Sequence, residues 1–277
     1  MTTEQQVAIP FHHFGGQGKT IHFAHANGYP PEGYKQLFQP FLSQYEVIGS
    51  KFRPLWGDQD PKMVNSWAVY AADLIKFLDH QGLKGIIGMG HSMGGTISVE
   101  AAHQRPDLFE RLVLIDPVFM PYFYQLLTKY IPKSLLKKRM PMSKVSHKRR
   151  NQWDSKDQVF DLWREKKVFK RFSDASLRDF VEAAIMKNEK GVTLAYSREW
   201  ETQVYLTGIY IYQKVMQLKI PVTVIRAEKS SVIMNEFWKE WQAKRPDHQF
   251  IEYNNSTHLL PLEYPKDLAD LILKTVL

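Results

Sequence analysis

Gly85-Ile86-Ile87-Gly88-Met89-Gly90-His91-Ser92-Met93-Gly94-Gly95-Thr96 joins an apolar run to a serine between two glycines and to the head of a helix-like stretch that continues to Gln104. A strand that ends in G-x-S-x-G and turns at once into a helix lifts the serine hydroxyl out of the backbone on a sharp, strained bend. Gly90 and Gly94 permit that bend because neither carries a Cβ to strike the adjacent strand and helix, and Gly95 lets the helix sit close to the sheet. Beyond it, Thr96, Ile97, Val99, Ala101 and Ala102 set apolar groups on a helical face before Arg105-Pro106 stops it.

A serine hydroxyl is a poor nucleophile at neutral pH, so it needs a base within hydrogen-bond reach and donors for the oxyanion formed when it attacks a carbonyl. Met93 opens the helix, and its backbone N–H is one such donor, with the positive helix end behind it. A second comes from His25-Ala26-Asn27-Gly28-Tyr29-Pro30, directly after the strand-like Lys19 to Ala24, where a tight loop turns the Asn27 N–H toward the same point. Asn255-Ser256-Thr257-His258-Leu259-Leu260-Pro261 follows the strand-like His248 to Tyr253. Of the ten histidines, His258 is the expected base, because it stands after the serine and at a strand end.

With "HANGYP", "GHSMGG" and "STHLLPLEYP" in that order, the chain resembles α/β-hydrolase-fold enzymes of the esterase and lipase type over nearly its whole length. The resemblance implies an α/β fold with a mainly parallel sheet flanked by helices. The chain departs from the usual pattern at the triad acid. Most relatives carry it after the strand that follows the cap, but here Ile220 to Arg226 leads into Ala227-Glu228-Lys229-Ser230-Ser231. Asp116, at the end of the strand Arg111 to Ile115, resembles the place where some dehalogenase-like members hold their acid. Asp116 is the expected acid, with Glu228 the alternative.

Strand and helix signals alternate to Asp116: strands at Phe11 to Phe14, Thr20 to Ala24 and Glu46 to Phe52, and helices at Glu32 to Leu42 and Asn65 to His80, the latter capped by Asn65 or Ser66. The alternation stops from Pro117 to about Leu218. Phe123, Tyr124, Leu126, Leu127, Tyr130 and Ile131 form an aromatic helical stripe, and helices are expected around Asp157 to Arg171, Ser176 to Lys187 and Trp200 to Met216. It resumes at Ile220 and closes with an amphipathic helix from Leu262 to Leu277. Residues 1–116 and 219–277 therefore read as a core, and 117–218 as a predominantly helical cap over the serine, whose aromatic and aliphatic residues suggest an apolar pocket.

The chain has 277 residues, 44% of them hydrophobic, and no cysteine, which removes a thiol nucleophile and a disulfide framework. Met1 to Pro10 lacks the features of a signal peptide, so a cytoplasmic location is expected. The net charge of +8 is local, since Lys129 to Arg150 holds nine Lys or Arg and no acid. No nucleic-acid module is present, and no nucleic-acid partner is expected. The basic segment reads as a solvated cap surface, as an attractor of an acidic substrate, or, with Ile131, Leu135, Leu136, Met140 and Met142 interleaved, as a rest on anionic lipid. His22 and His25, three apart at a strand whose side chains alternate faces, are not expected to form a metal pair, and Asp58 and Asp60 read as turn formers. No metal or organic cofactor is implied, and the chain is expected to be a monomer or homodimer.

The expected activity is a carboxylesterase acting through an acyl-enzyme on short to medium acyl chains. Ser92 is its nucleophile, His258 its base, Asp116 the orienting acid, and the Asn27 and Met93 amides its oxyanion donors. Thioesterase, lactonase, lipase or carbon–carbon bond hydrolase chemistry is the alternative within the fold, and a catalytically silent ligand-binding relative is the alternative outside enzymes.

Overall fold

A strand whose two faces are both apolar must be covered on both sides, and that demand organises the molecule. The computed structural model describes residues 8–57, 59–119, 130, 131, 135 and 141–277, the side chains of 141–144 excepted. Asp58, Phe123, Tyr124, Leu126, Leu127, Leu136, Met140 and the Met142 side chain lie outside the described residues.

Ten strands are described: β1 Phe11–Gly15, β2 Lys19–Ala24, β3 Tyr45–Ser50, β4 Ile86–His91, β5 Phe109–Ile115, β6 Gln152–Trp153, β7 Ile185–Asn188, β8 Gly191–Leu194, β9 Val222–Lys229 and β10 Gln249–Thr257. Seven form one sheet in the order β1-β3-β2-β4-β5-β9-β10, parallel throughout except where β1 pairs antiparallel with β3. The helices are α1 Lys35–Phe38, α2 Ala68–His80, α3 Met93–Gln104, α4 Pro141–Lys148, α5 Lys156–Arg164, α6 Asp174–Ala184, α7 Arg198–Tyr205, α8 Tyr212–Gln217, α9 Asn235–Lys244, α10 Leu260–Glu263 and α11 Pro265–Thr275.

The period of two along each strand divides the core. Leu112 and Leu114 of β5 pack with Trp67, Tyr70 and Phe77 of the α2 side and with Trp241 of α9. Val113 and Ile115 point the other way, to Tyr34, Phe38, Leu268 and Ile272. Fully burying a side chain of this size stabilises the fold by about 1.5–3 kcal/mol. Among the described residues no helix is long and apolar enough to cross a membrane.

Several elements differ from expectation at proline or glycine. The helix expected over Glu32 to Leu42 is a short α1 between two 3-10 turns, Pro31–Tyr34 and Gln39–Ser43, each with a proline in its first turn. The stretch Trp200 to Met216 is two helices, α7 and α8, with Gly208 between them. The last helix breaks at Tyr264-Pro265 into α10 and α11. α2 starts at Ala68 with Trp67, not the expected Asn65 or Ser66, at its N-cap position and no side-chain cap bond from it; Ser66 Oγ, one residue further out, accepts from the Ala68 N–H at 3.2 Å.

Among its described residues the segment between β5 and β9 holds α4 to α8 and also a three-stranded antiparallel sheet, β6-β8-β7, that the sequence reading missed. The helix expected to run to Lys187 ends at Ala184 and turns straight into β7. Gly191, at φ 117°, makes the hairpin back into β8.

Candidate active site

β4 ends at His91 and α3 begins at Met93, leaving Ser92 alone on the bend at φ 57° and ψ −123°. Three backbone bonds hold this strained residue: its N–H donates to Ile115 at 3.0 Å, and its carbonyl accepts from Gly95 and Val118 at 3.1 and 3.2 Å. The glycines are required by contact. A Cβ on Gly90 would lie 2.6 Å from the Gly95 nitrogen, and one on Gly94 would be driven into the Ala24 carbonyl.

Because β5 lies between β4 and β9, the residue after β5 emerges beside Ser92. That residue is Asp116, fully buried and also at positive φ, 40°. Its N–H donates to Ile225 at 2.7 Å and its Oδ1 accepts from the Ala227 N–H at 3.2 Å. Oδ2 is thereby aimed at His258 Nδ1, 2.7 Å away, and His258 Nε2 lies 2.8 Å from Ser92 Oγ. Nδ1–H donates to the carboxylate, which leaves Nε2 to accept the serine proton.

Glu228 is placed elsewhere. It is exposed, and its carboxylate accepts from the Asn255 N–H rather than meeting His258. Ser230, in the position where an acid is usual, accepts from the Val232 and Ile233 N–H groups at 3.3 and 3.1 Å, closing a turn.

His258 does not swing on a loose loop. β10 runs on to Thr257, past the Tyr253 at which the strand was expected to stop, with its pairing slipped around Asn255 at φ 52°. Glu263 ties this end down: its carboxylate accepts from the Thr257 N–H at 2.9 Å and from Thr257 Oγ1 at 2.6 Å. His91 does the same from the elbow. Its Nε2–H donates to the His258 carbonyl at 2.7 Å, and its Nδ1 accepts from the Tyr34 hydroxyl at 2.8 Å. A carbonyl can only accept, so these partners fix the His91 tautomer. Glu263, His91 and Tyr34 escaped the sequence reading; only the location of His91 inside the elbow motif was a signal.

The Asn27 loop is also held by a histidine. His25 Nδ1–H donates to the Ala26 carbonyl at 2.8 Å, and Nε2 accepts from the Phe52 N–H at 3.1 Å. Gly28 takes φ 78°, and Asn27 Nδ2 donates to the Glu201 carbonyl at 3.4 Å, so α7 braces the loop from behind. On the other side, the Met93 N–H belongs to the first helical turn, whose amides have no intrahelical acceptor. His22 turns away from His25 to Ser50, 2.9 Å from its Oγ, and Asp60 forms the expected turn by accepting from the Lys62 N–H at 2.9 Å.

Burial lowers the pKa of His22 to about 3 and of His25 to about 4, from an ordinary 6.5. Burial, and then the nearby His258, holds His91 well below 6.5. All three are neutral in the fold, while in the unfolded chain they take up protons once the pH drops below about 6.5. Their contribution to stability is therefore complete above 6.5 and is lost as the pH falls toward 4 and then 3. Burial likewise lowers the pKa of His248 to about 4, so denaturant unfolding measured from pH 7 to 4.5 is expected to show steadily falling stability, with uptake of about four protons by these histidines on unfolding near pH 5. A flat profile would contradict these burial assignments.

A protein-family model described as "Serine aminopeptidase, S33" matches residues 56–265. The "Uncharacterized hydrolase YugF" of Bacillus subtilis is 20% identical over 97% of this chain and 94% of its own length. The "Type I acyl-CoA thioesterase mpaH'" of Penicillium brevicompactum is 31% identical, but over 34% of this chain and 25% of its own length. Among solved structures, E-2-(acetamidomethylene)succinate hydrolase superposes with a TM-score of 0.77 at 19% identity, covering 95% of this chain and 93% of that one. That likeness speaks to the fold alone.

Proposed function

Because the chain belongs to the serine aminopeptidase S33 family of α/β-hydrolases, we propose that it is a serine hydrolase cleaving carboxylic esters of short to medium acyl chain, with Ser92, His258 and Asp116 as its triad. The observation that carries the reading is the unbroken chain of hydrogen bonds from Ser92 Oγ through His258 to Asp116, at 2.8 and 2.7 Å.

Ser92 Oγ attacks the carbonyl carbon while His258 Nε2 takes its proton. Asp116 holds the imidazole in the accepting tautomer and balances the imidazolium charge. The Asn27 and Met93 amides stabilise the oxyanion. As the tetrahedral intermediate collapses, the carbon–oxygen bond to the alcohol breaks and His258 returns the proton to the departing alkoxide, leaving the acyl group on Ser92. Water gives a proton to His258, attacks the acyl carbonyl, and releases the acid as Ser92 regains its hydrogen. The segment between β5 and β9 acts in this reading as a cap, with α7 supporting the oxyanion loop.

The same steps serve a thioester, with a thiol leaving in place of the alcohol. The similarity to a fungal acyl-CoA thioesterase over 110 residues favours this second reading. A panel of chromogenic esters from acetate to palmitate, run beside lactones and thioesters, tests both. The expected result is turnover of esters or thioesters that peaks at short to medium chains; no turnover of any acyl donor would overturn the hydrolase reading.

A further inference from the structure

Beside the oxyanion loop lies a cavity of about 540 Å³, inside the roughly 300–1,000 Å³ range of small-molecule sites. Its wall carries four cations, Lys148, Arg149, Arg150 and Lys166. Arg149 Nη1 reaches the buried Glu201 carboxylate at 3.0 Å. Among the described residues no carboxylate pairs with Lys148, Arg150 or Lys166. Lys166 and Arg150 rest on rings instead, over Trp163 at 5.6 Å and Trp153 at 5.7 Å. Burial, then Arg149 and Arg150, lowers the pKa of Lys166.

The other wall is aromatic. Tyr29 stacks on Phe180 at 4.7 Å, and Trp163 stacks on Phe169 and Phe180 at 5.2 and 5.3 Å. Gly28 and Tyr29, which follow Asn27 directly in the chain, line the cavity, so it borders the Asn27 loop. A Cβ on Gly28 would meet the Glu201 carboxylate carbon at 3.7 Å, so the Arg149–Glu201 pair sits against the oxyanion loop.

We propose that this cavity binds the non-reacting end of a soluble acyl substrate, and that this end is a phosphate ester carrying a flat ring. The Arg150 guanidinium and the ammonium groups of Lys148 and Lys166, with Arg149 held beside them on Glu201, match several phosphate oxygens, more than one carboxylate would satisfy. The stacked aromatic wall suits a planar ring. Trp163, Phe169 and Phe180 are buried in the core cluster behind this wall, whereas two further lining residues, Val145 and Val168, are exposed; a lipid surface is therefore the rival that the test must separate.

The inference rests in part on the acyl hydrolase reading, so its test has one arm independent of turnover. Adenosine 3′,5′-bisphosphate is titrated into the full chain, and into Ser92→Ala, at low salt with tryptophan fluorescence as the readout. Saturable binding is expected, weakening with salt and weakened at least about 10-fold in the triple variant Lys148→Gln, Arg150→Gln, Lys166→Gln, its fold checked by circular dichroism. The second arm compares butyryl-coenzyme A with butyryl-pantetheine, which share the reacting bond. KM for the phosphorylated donor is expected to be at least about 10-fold lower, with the difference lost in the triple variant.

Absence of saturable nucleotide binding, or equal binding by the triple variant, would overturn the proposal. Salt-sensitive binding to phosphatidylserine vesicles without nucleotide binding would also overturn it, in favour of a membrane surface. Turnover with no preference for the phosphorylated donor sinks this inference and leaves the hydrolase reading intact; nucleotide binding without any turnover does the reverse.

Discussion

Replacing Ser92 by alanine is expected to lower kcat for a cleaved ester by about a millionfold while leaving the fold in place. The change removes only the hydroxyl that lies 2.8 Å from His258 Nε2. Alanine has the same Cβ as serine, so the strain of φ 57° is no greater, and the three backbone bonds through Ile115, Gly95 and Val118 persist. The melting temperature should therefore stay near that of the unaltered protein. Rate measured together with circular dichroism separates a lost nucleophile from a lost structure. Undiminished cleavage by a folded Ser92→Ala variant would remove the serine from the chemistry.

Asp116→Asn is expected to cost about 10⁴-fold in kcat, by analogy with serine-triad enzymes, and the surroundings of Asp116 give the reason. One carboxylate oxygen already accepts from the Ala227 N–H at 3.2 Å. An asparagine at this position satisfies that donor only with its carbonyl oxygen, which turns its NH2 toward His258 Nδ1, 2.7 Å from the other carboxylate oxygen. Nδ1 must then accept, the proton moves to Nε2, and the imidazole can no longer take the hydrogen of Ser92. Glu228→Gln is the matched control. Its side chain is exposed and engages the Asn255 N–H, and an amide oxygen accepts there as well, so kcat should change little. If the Glu228 variant proved the more damaged of the two, Asp116 could not be the acid.

The parts of the fold that could be read from sequence were those in which local chemistry and global role coincide. G-x-S-x-G needs its glycines for close contact and its helix for the amide of Met93, so strand, bend and helix declare themselves together, and α3 runs over the expected Met93 to Gln104. Asp116 could be suggested because the segment after its strand resembles the place where some dehalogenase-like relatives hold their acid. Its contact with His258 spans 142 positions and depends on β5 lying between β4 and β9.

Contacts of that kind hid the rest. The bond from Tyr34 to His91 crosses 57 positions and that from His91 to the His258 carbonyl crosses 167; neither leaves a spacing to recognise. Glu263 meets Thr257 only six positions away, but across the turn from β10 into α10, a pairing that belongs to no recognised motif. The β7–β8 hairpin was missed for a different reason. Asn188-Glu189-Lys190-Gly191 is a turn signal, but it falls between four-residue strands too short to show their period of two.

The proton path from the elbow to the imidazole is tested most directly by peptide mapping after reaction with a fluorophosphonate. A single phosphonyl group on Ser92 is expected, with labelling strongly slowed in His258→Ala. An unlabelled Ser92, or labelling that proceeds as fast without His258, would contradict the account.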